Sequence, residues 1–281
     1  MYKTPLKRFE RKTAKKKNKL DQVFLLGVPY HLILIFLIVI PLGLILLYAM
    51  TERVNDMFLT FSLKYFIQFS KEPMFIKAML DSIYLAVLTT VFALLIGYPT
   101  AYIIANRKPR TQAAMILVIT APMWVNMLLR TMALKQLFEM FVPNLLGGNF
   151  SIVTGMVYVF LPFMVLPIYT VLSKIDPRLY EAAHDLGANK FETFIKVTLP
   201  LSITGVLSGI TMVLLPAATT LVIPKYLGGG RYLIGNLIED RFLKNGDWGY
   251  GSAIAIILSI VIMFMVILTK KLDKNPEVDH D

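Results

Sequence analysis

Residues Glu181 to Pro200 read EAAHDLGANKFETFIKVTLP. This polar, charged stretch lies between two apolar runs, Ile152 to Leu172 and Leu201 to Ile223, each long enough to cross a bilayer as a helix. Its local signals agree with one another. Asp176 stands directly before Pro177, which pairs an N-cap residue with proline at the first helical position. A short helix is therefore expected from Pro177 to about Leu186. Gly187 suits the left-handed position that ends a helix. Asn189 can cap a second short helix, with Glu192 three residues later as in a capping box. That helix is expected to end before Pro200, where the next span begins. The segment reads as helix, glycine turn, helix: a compact knob carried by a membrane domain.

Composition supports the membrane reading. The 281 residues are 56% hydrophobic, and the mean hydropathy is +0.64, above that of ordinary soluble domains. Six apolar stretches are candidate spans: Val23 to Met50, Ile83 to Ile104, Ala113 to Leu134, Ile152 to Leu172, Leu201 to Ile223, and Ala253 to Leu268. Arg130 interrupts the third near one end. The first is too long for a signal-peptide core and no small-x-small cleavage site follows it. The expected architecture is an all-α membrane protein with six transmembrane helices. It divides into a basic tail (1–22), a membrane domain (23–272) bearing the polar loop 174–199, and a short tail (273–281).

Charge sets the orientation. The formal net charge is +11, but nine Lys and Arg fall within the first twenty residues against the single acid Glu10. A basic block before an apolar run is a topology signal resting on anionic lipid, and not a nucleic-acid footprint. With six spans, 19 of the 29 Lys and Arg lie on the side holding both termini, the Asn106–Arg110 turn and the 174–199 loop. That side is cytoplasmic by the positive-inside rule. Prolines at 41, 99, 122, 162, 167 and 216 fall inside spans, where they bend helices.

Several chemistries are excluded. There is no cysteine, and the three histidines are scattered, so no metal cluster is expected. No phosphate-cradling G-x-x-x-x-G-K-[ST] sequence occurs, and neither do H-E-x-x-H or G-x-S-x-G. The loop has docking chemistry instead. Ala182 and Ala183 allow close approach, Leu186, Phe191 and Phe194 offer apolar anchors, and Glu181, Asp185, Lys190 and Lys196 supply a polar rim. An amphipathic hairpin that only covers the bundle would share part of this pattern.

The loop resembles the EAA motif of ABC importer permeases, with Glu181, Ala182, Ala183, Gly187, Leu199 and Pro200 matching and Val197 where isoleucine is more usual. The stretches LPFMVLPIYTVLSKID, PMWVNMLLRTMALK and LVIPKYLGGG, followed by LIGNLI, resemble the B-type permeases of spermidine/putrescine importers. The resemblance implies the type I importer permease fold in a bacterial inner membrane. It implies coupling through Glu181, Ala182, Ala183, Asp185, Leu186, Gly187, Leu199 and Pro200. It also implies a second homologous permease, a cytoplasmic ABC ATPase dimer that binds the ATP and Mg, and an external substrate-binding protein. The chain itself is then not an enzyme and carries no cofactor.

For a polyamine cargo, aromatic faces and carboxylates are the expected lining. Trp124 and Asn126 in the third span, Tyr158 in the fourth, Asp81 at the outer start of the second and Asp240 before the sixth are the candidates. Each has a structural alternative: a belt tryptophan, core packing, or pairing of Glu239 and Asp240 with Arg241 and Lys77. Eight outer acids face ten bases, so no electronegative funnel arises from this subunit. Related permeases for other solutes share the loop. A stand-alone secondary transporter would call for inverted repeats or several charges within spans, and neither is present.

Overall fold

The computed structural model describes residues 27–55 and 58–271; the basic tail 1–22 and the tail 273–281 lie outside the described residues. Among the described residues, four helices are long and apolar enough to cross a membrane: α1 (Gly27–Met50), α3 (Pro73–Ala105), α6 (Asn149–Leu172) and α12 (Trp248–Lys271). Two bent pairs bring the number to six: α4 (Pro109–Thr120) with α5 (Met127–Phe141), and α8 (Lys190–Leu201) with α9 (Ile203–Thr219). Shorter elements among the described residues include the hairpin β1 (Thr51–Asn55) and β2 (Phe58–Phe61), then α2 (Lys64–Lys71), α7 (Pro177–Asp185), α10 (Val222–Leu227) and α11 (Ile234–Leu243).

Counting each bent pair as one span gives the six expected, with corrections that trace to prolines and caps. The third span is not one helix from Ala113 to Leu134: the chain turns by 96° between α4 and α5. Pro122 lacks an N–H and sits in a single 3-10 turn, Ala121–Trp124, after which Val125 is extended. Asn126 restarts the helix by accepting from Leu128 N at 2.8 Å. The second span begins ten residues before Ile83, because extended Glu72 precedes Pro73 at the first helical position. The fifth begins at Ile203 and ends at Thr219, bounded by Ser202 and by extended Thr220.

Two π-helical segments occur among the described residues, Ile35–Val39 and Phe194–Thr198. Each ends two residues before a proline, Pro41 and Pro200. A proline deprives the carbonyl four residues earlier of its donor. One surplus residue in the turn lets the ladder slip past that gap. The helix from Asn189 therefore does not stop before Pro200, as expected; it runs through to Leu201. The 51–73 connection also holds a β-hairpin pairing Thr51 with Phe61 and Glu52 with Thr60, which the all-helical reading omits.

The core is made by α3, α6 and α9. Met164 on α6 is fully buried, and its side chain lies where Cβ atoms at Gly97 or Gly209 would fall, 2.8 and 2.7 Å away. At Gly205 a Cβ would stand 2.9 Å from the Pro167 carbonyl oxygen. Small residues let backbones approach in this way where lipid removes the hydrophobic drive between helices. α1 leans on α12 and otherwise leaves its apolar surface bare, with only 6% of its most apolar window buried.

Contacts define the two ends of the bundle. At one end Tyr98 Oη, Ser202 Oγ and Phe194 meet, with Tyr98 and Ser202 2.8 Å apart. At the other, Ile234 N donates to Ser82 Oγ at 2.9 Å and Arg231 bonds to Asn149. The second end is charged. Arg241 reaches Glu72 at 3.7 Å and lies over the rings of Phe75 and Tyr250, 5.0 and 4.9 Å from their centres. Glu239 and Asp240 pair with Lys225 (3.5 Å) and Lys244 (2.8 Å). The expected pairing with Arg241 and Lys77 is replaced because α11 presents Arg241 to α3 and α12.

Candidate coupling segment and substrate path

The segment between α6 and α9 folds as its caps dictate. The Asp176 carboxylate accepts from Arg178 N at 2.9 Å, and Pro177 opens α7. Leu186 ends the helix and Gly187 takes φ +82°. Gly187 N donates to His184 O at 2.9 Å and Ala188 N to Ala183 O at 3.0 Å. These two bonds form a Schellman closure, which satisfies carbonyls the helix end would leave bare. The Asn189 side-chain oxygen then accepts from Phe191 N (3.0 Å) and Glu192 N (2.9 Å), and Glu192 accepts from Asn189 N at 3.0 Å. This is the complete capping box expected from the spacing.

The cap makes a local prediction. Asn189→Ala removes both side-chain bonds at the start of α8, at a cost of about 1 kcal/mol. Backbone amides of Phe191 and Glu192 are expected to exchange about fivefold faster in hydrogen–deuterium exchange. Amides of α6 serve as the unaffected reference.

The knob has two faces. Outward, Leu186 is 89% and Phe191 71% exposed, and Glu181, Ala182 and Asp185 are exposed beside them. Among the described residues, Glu181 and Asp185 form no ion pair, while Lys196 reaches Glu192 at 3.5 Å. Phe194 does not join the outward anchors. It turns inward, edge-on to Tyr98 (5.8 Å) and Tyr102 (5.7 Å) of α3. The π segment and the last turn of α8 then bring Leu199 and Pro200, both exposed, to the junction with α9. The eight coupling candidates thus fall on one structural unit, from the middle of α7 to the end of α8.

The five substrate-path candidates are spread out. Trp124 is 78% exposed at the α4–α5 corner, and Asn126 spends its side-chain oxygen on the α5 cap. Tyr158 lines an apolar cavity of about 340 Å³ with Leu88, Phe92, Ile96, Phe150 and Val157. Asp81 lies within α3 and Asp240 on α11, where Lys244 already holds it. No hydrogen bond, ion pair or ring contact joins any two of the five among the described residues. Arg130 was legible only as an interruption of an apolar run. On α5 its Nε and Nη1 are buried without an acceptor among the described residues. A guanidinium in that state is costly, and it is a consequence of packing that an apolar run does not signal.

The fold, the bent spans and the capped knob together define an inner-membrane transport component. The chain belongs to the family described as "binding-protein-dependent transport system inner membrane component", whose model matches residues 93–277. It is 33% identical over 218 residues to the spermidine/putrescine transport system permease protein PotB of Haemophilus influenzae, covering 72% of this chain and 76% of that one. It is 32% identical over 234 residues to PotB of Escherichia coli K12, covering 74% and 83%. Among solved structures it superposes on a permease chain of a bacterial ABC transporter importing the acidic polysaccharide alginate, with a TM-score of 0.72 at 12% identity, covering 93% of this chain and 98% of that one. It also superposes on a chain of the inward-facing MetNI methionine ABC transporter, with a TM-score of 0.55 at 16% identity, covering 71% and 92%. The chain is therefore a multi-pass bacterial inner-membrane permease of the ABC importer class, and not an enzyme by itself.

Proposed function

We propose that this chain is one of two homologous permeases in an ATP-driven importer of linear polyamines, spermidine or putrescine. The carrying observation is the exposed, doubly capped knob from Asp176 to Pro200, whose outward apolar residues and unpaired carboxylates suit a protein partner. That partner is a cytoplasmic ABC ATPase, which binds the ATP and Mg; this chain carries neither. Closure of the ATPase pair on ATP moves the knob, and the bundle exchanges inward-open for outward-open. An external binding protein delivers the cargo. The buried, unpaired nitrogens of Arg130 support a chain completed by a neighbour, since a second permease can supply the missing acceptor.

The cargo assignment rests on identity to the two PotB permeases. Trp124 and Tyr158 present aromatic faces of the kind that attract ammonium groups, and Asp81 and Asp240 supply carboxylates; Asn126 positions the Trp124 corner. The test is reconstitution of this chain with its second permease, ATPase and binding protein in liposomes. ATP-dependent uptake of labelled spermidine or putrescine is expected, with no uptake of methionine or an acidic sugar. Uptake of another solute alone would overturn the cargo. Uptake by this chain alone without ATP would overturn the coupling.

A further inference from the structure

At the bundle end opposite the knob lies a cavity of about 540 Å³, within the range of small-molecule sites. Its walls include Tyr48, Glu52, Tyr65, Asp247, Trp248 and Gly249. The Tyr48 and Trp248 rings stand 6.2 Å apart at 46°. Tyr65 presses on bare backbone at Gly249, where a Cβ would fall 2.4 Å from its ring. Two carboxylates enter this aromatic frame. Asp247 spends one oxygen on Tyr250 N at 3.1 Å, where it caps α12, which leaves the other. Burial foremost, and then the Asp247 and Glu52 carboxylates, push the Tyr65 phenol upward.

The second carboxylate already holds an alkylammonium. Lys64 Nζ lies 2.5 Å from Glu52 Oε1, with its side chain 59% exposed. The contact raises the Lys64 amine. Rings for the ammonium face and methylenes, carboxylates for its N–H donors, and a tethered amine at the rim form one chemistry.

We infer that this cavity binds a free protonated alkylamine, with a linear diamine bridging Glu52 and Asp247 and Lys64 competing for Glu52. The site is separate from the Trp124 and Tyr158 surfaces and from the knob. It does not depend on which cargo is transported.

The chain has two tryptophans, so Trp124→Phe leaves Trp248 as the only indole, inside the cavity. That protein, purified in nanodiscs, is titrated with putrescine at constant ionic strength while Trp248 emission is followed. Equilibrium dialysis with labelled putrescine counts bound ligand independently. Saturable binding is expected by dialysis, with potassium inert. Asp247→Asn keeps the cap, since asparagine caps as well as aspartate, but loses the charge. It is expected to weaken binding by about tenfold or more. Lys64→Gln frees Glu52 and is expected to tighten binding by up to about fivefold, a gain that structural damage would not produce. Absence of binding by dialysis, or affinities equal to the parent in both variants, would overturn the inference. Binding of N-acetyl-lysine amide but not of putrescine would also overturn it, and assign the cavity to a lysine of a docking protein. Uptake is not measured, so failure here and failure of the transport reading are separable.

Discussion

Gly187→Val is expected to lower ATP-driven uptake by about tenfold or more without reducing the amount of chain in the membrane. The site is open: a Cβ at Gly187 would have nothing within 4 Å, so the substitution causes no clash. The penalty lies in the backbone. At φ +82° an L-residue pays about 1–2 kcal/mol, and a β-branched one more. That is about a tenfold loss in the population of the ordered turn. Both closing bonds, Gly187 to His184 and Ala188 to Ala183, depend on that turn, and with them the presentation of Leu186 and Glu181. Gly187→Asn should keep most of the activity, because asparagine tolerates the left-handed region. Initial uptake rates beside immunoblots of membrane fractions decide the matter. Normal uptake by the valine variant would remove the knob from the coupling role.

Gly205→Val is expected to be the most destabilising of the glycine changes in the helix core. Here the obstacle is steric and rigid. The new Cβ would lie 2.9 Å from the Pro167 carbonyl oxygen and 3.1 Å from the Ile168 Cα, both backbone atoms of α6. Relief requires moving α9 away from α6, which also loosens the Met164 contact at Gly209 on the same helix. Overpacking of this kind costs about 1–3 kcal/mol. The detergent melting midpoint should fall by roughly 2–12 °C, read by fluorescence-detected size exclusion on heating. Gly43→Ala is the matched control, since a Cβ there meets nothing within 4 Å. Equal midpoints for the two variants would show that the α6–α9 approach is not close in the folded protein.

Much of the fold was legible because its rules are local. The caps at Asp176 and Asn189, the stop at Gly187 and the apolar lengths of the spans depend on neighbours in sequence. What escaped reading depends on contacts made far along the chain. Phe194 looked like an anchor for a partner, yet its place between Tyr98 and Tyr102 is set by a helix ninety residues earlier. Arg241 was expected to pair on its own helix, and packing gave it Glu72, Phe75 and Tyr250 instead. The 96° corner at Pro122 was signalled by its proline, but proline alone does not distinguish a kink from a break. Extended Val125 and the fresh cap at Asn126 decide for a break. Trp124, Asn126, Tyr158, Asp81 and Asp240 are alike in residue chemistry, which carries no information on which of them share a surface.

The inward turn of Phe194 gives the knob a fulcrum. α7 follows α6 through the short turn Ser173–Asp176 and packs on α8. α8 is continuous from Asn189 to Leu201 and is wedged at mid-length between two rings of α3. α8 then acts as a crank, with α7 braced against it. The Phe194 pivot divides a load on that crank between α3 and the Ser202 elbow into α9.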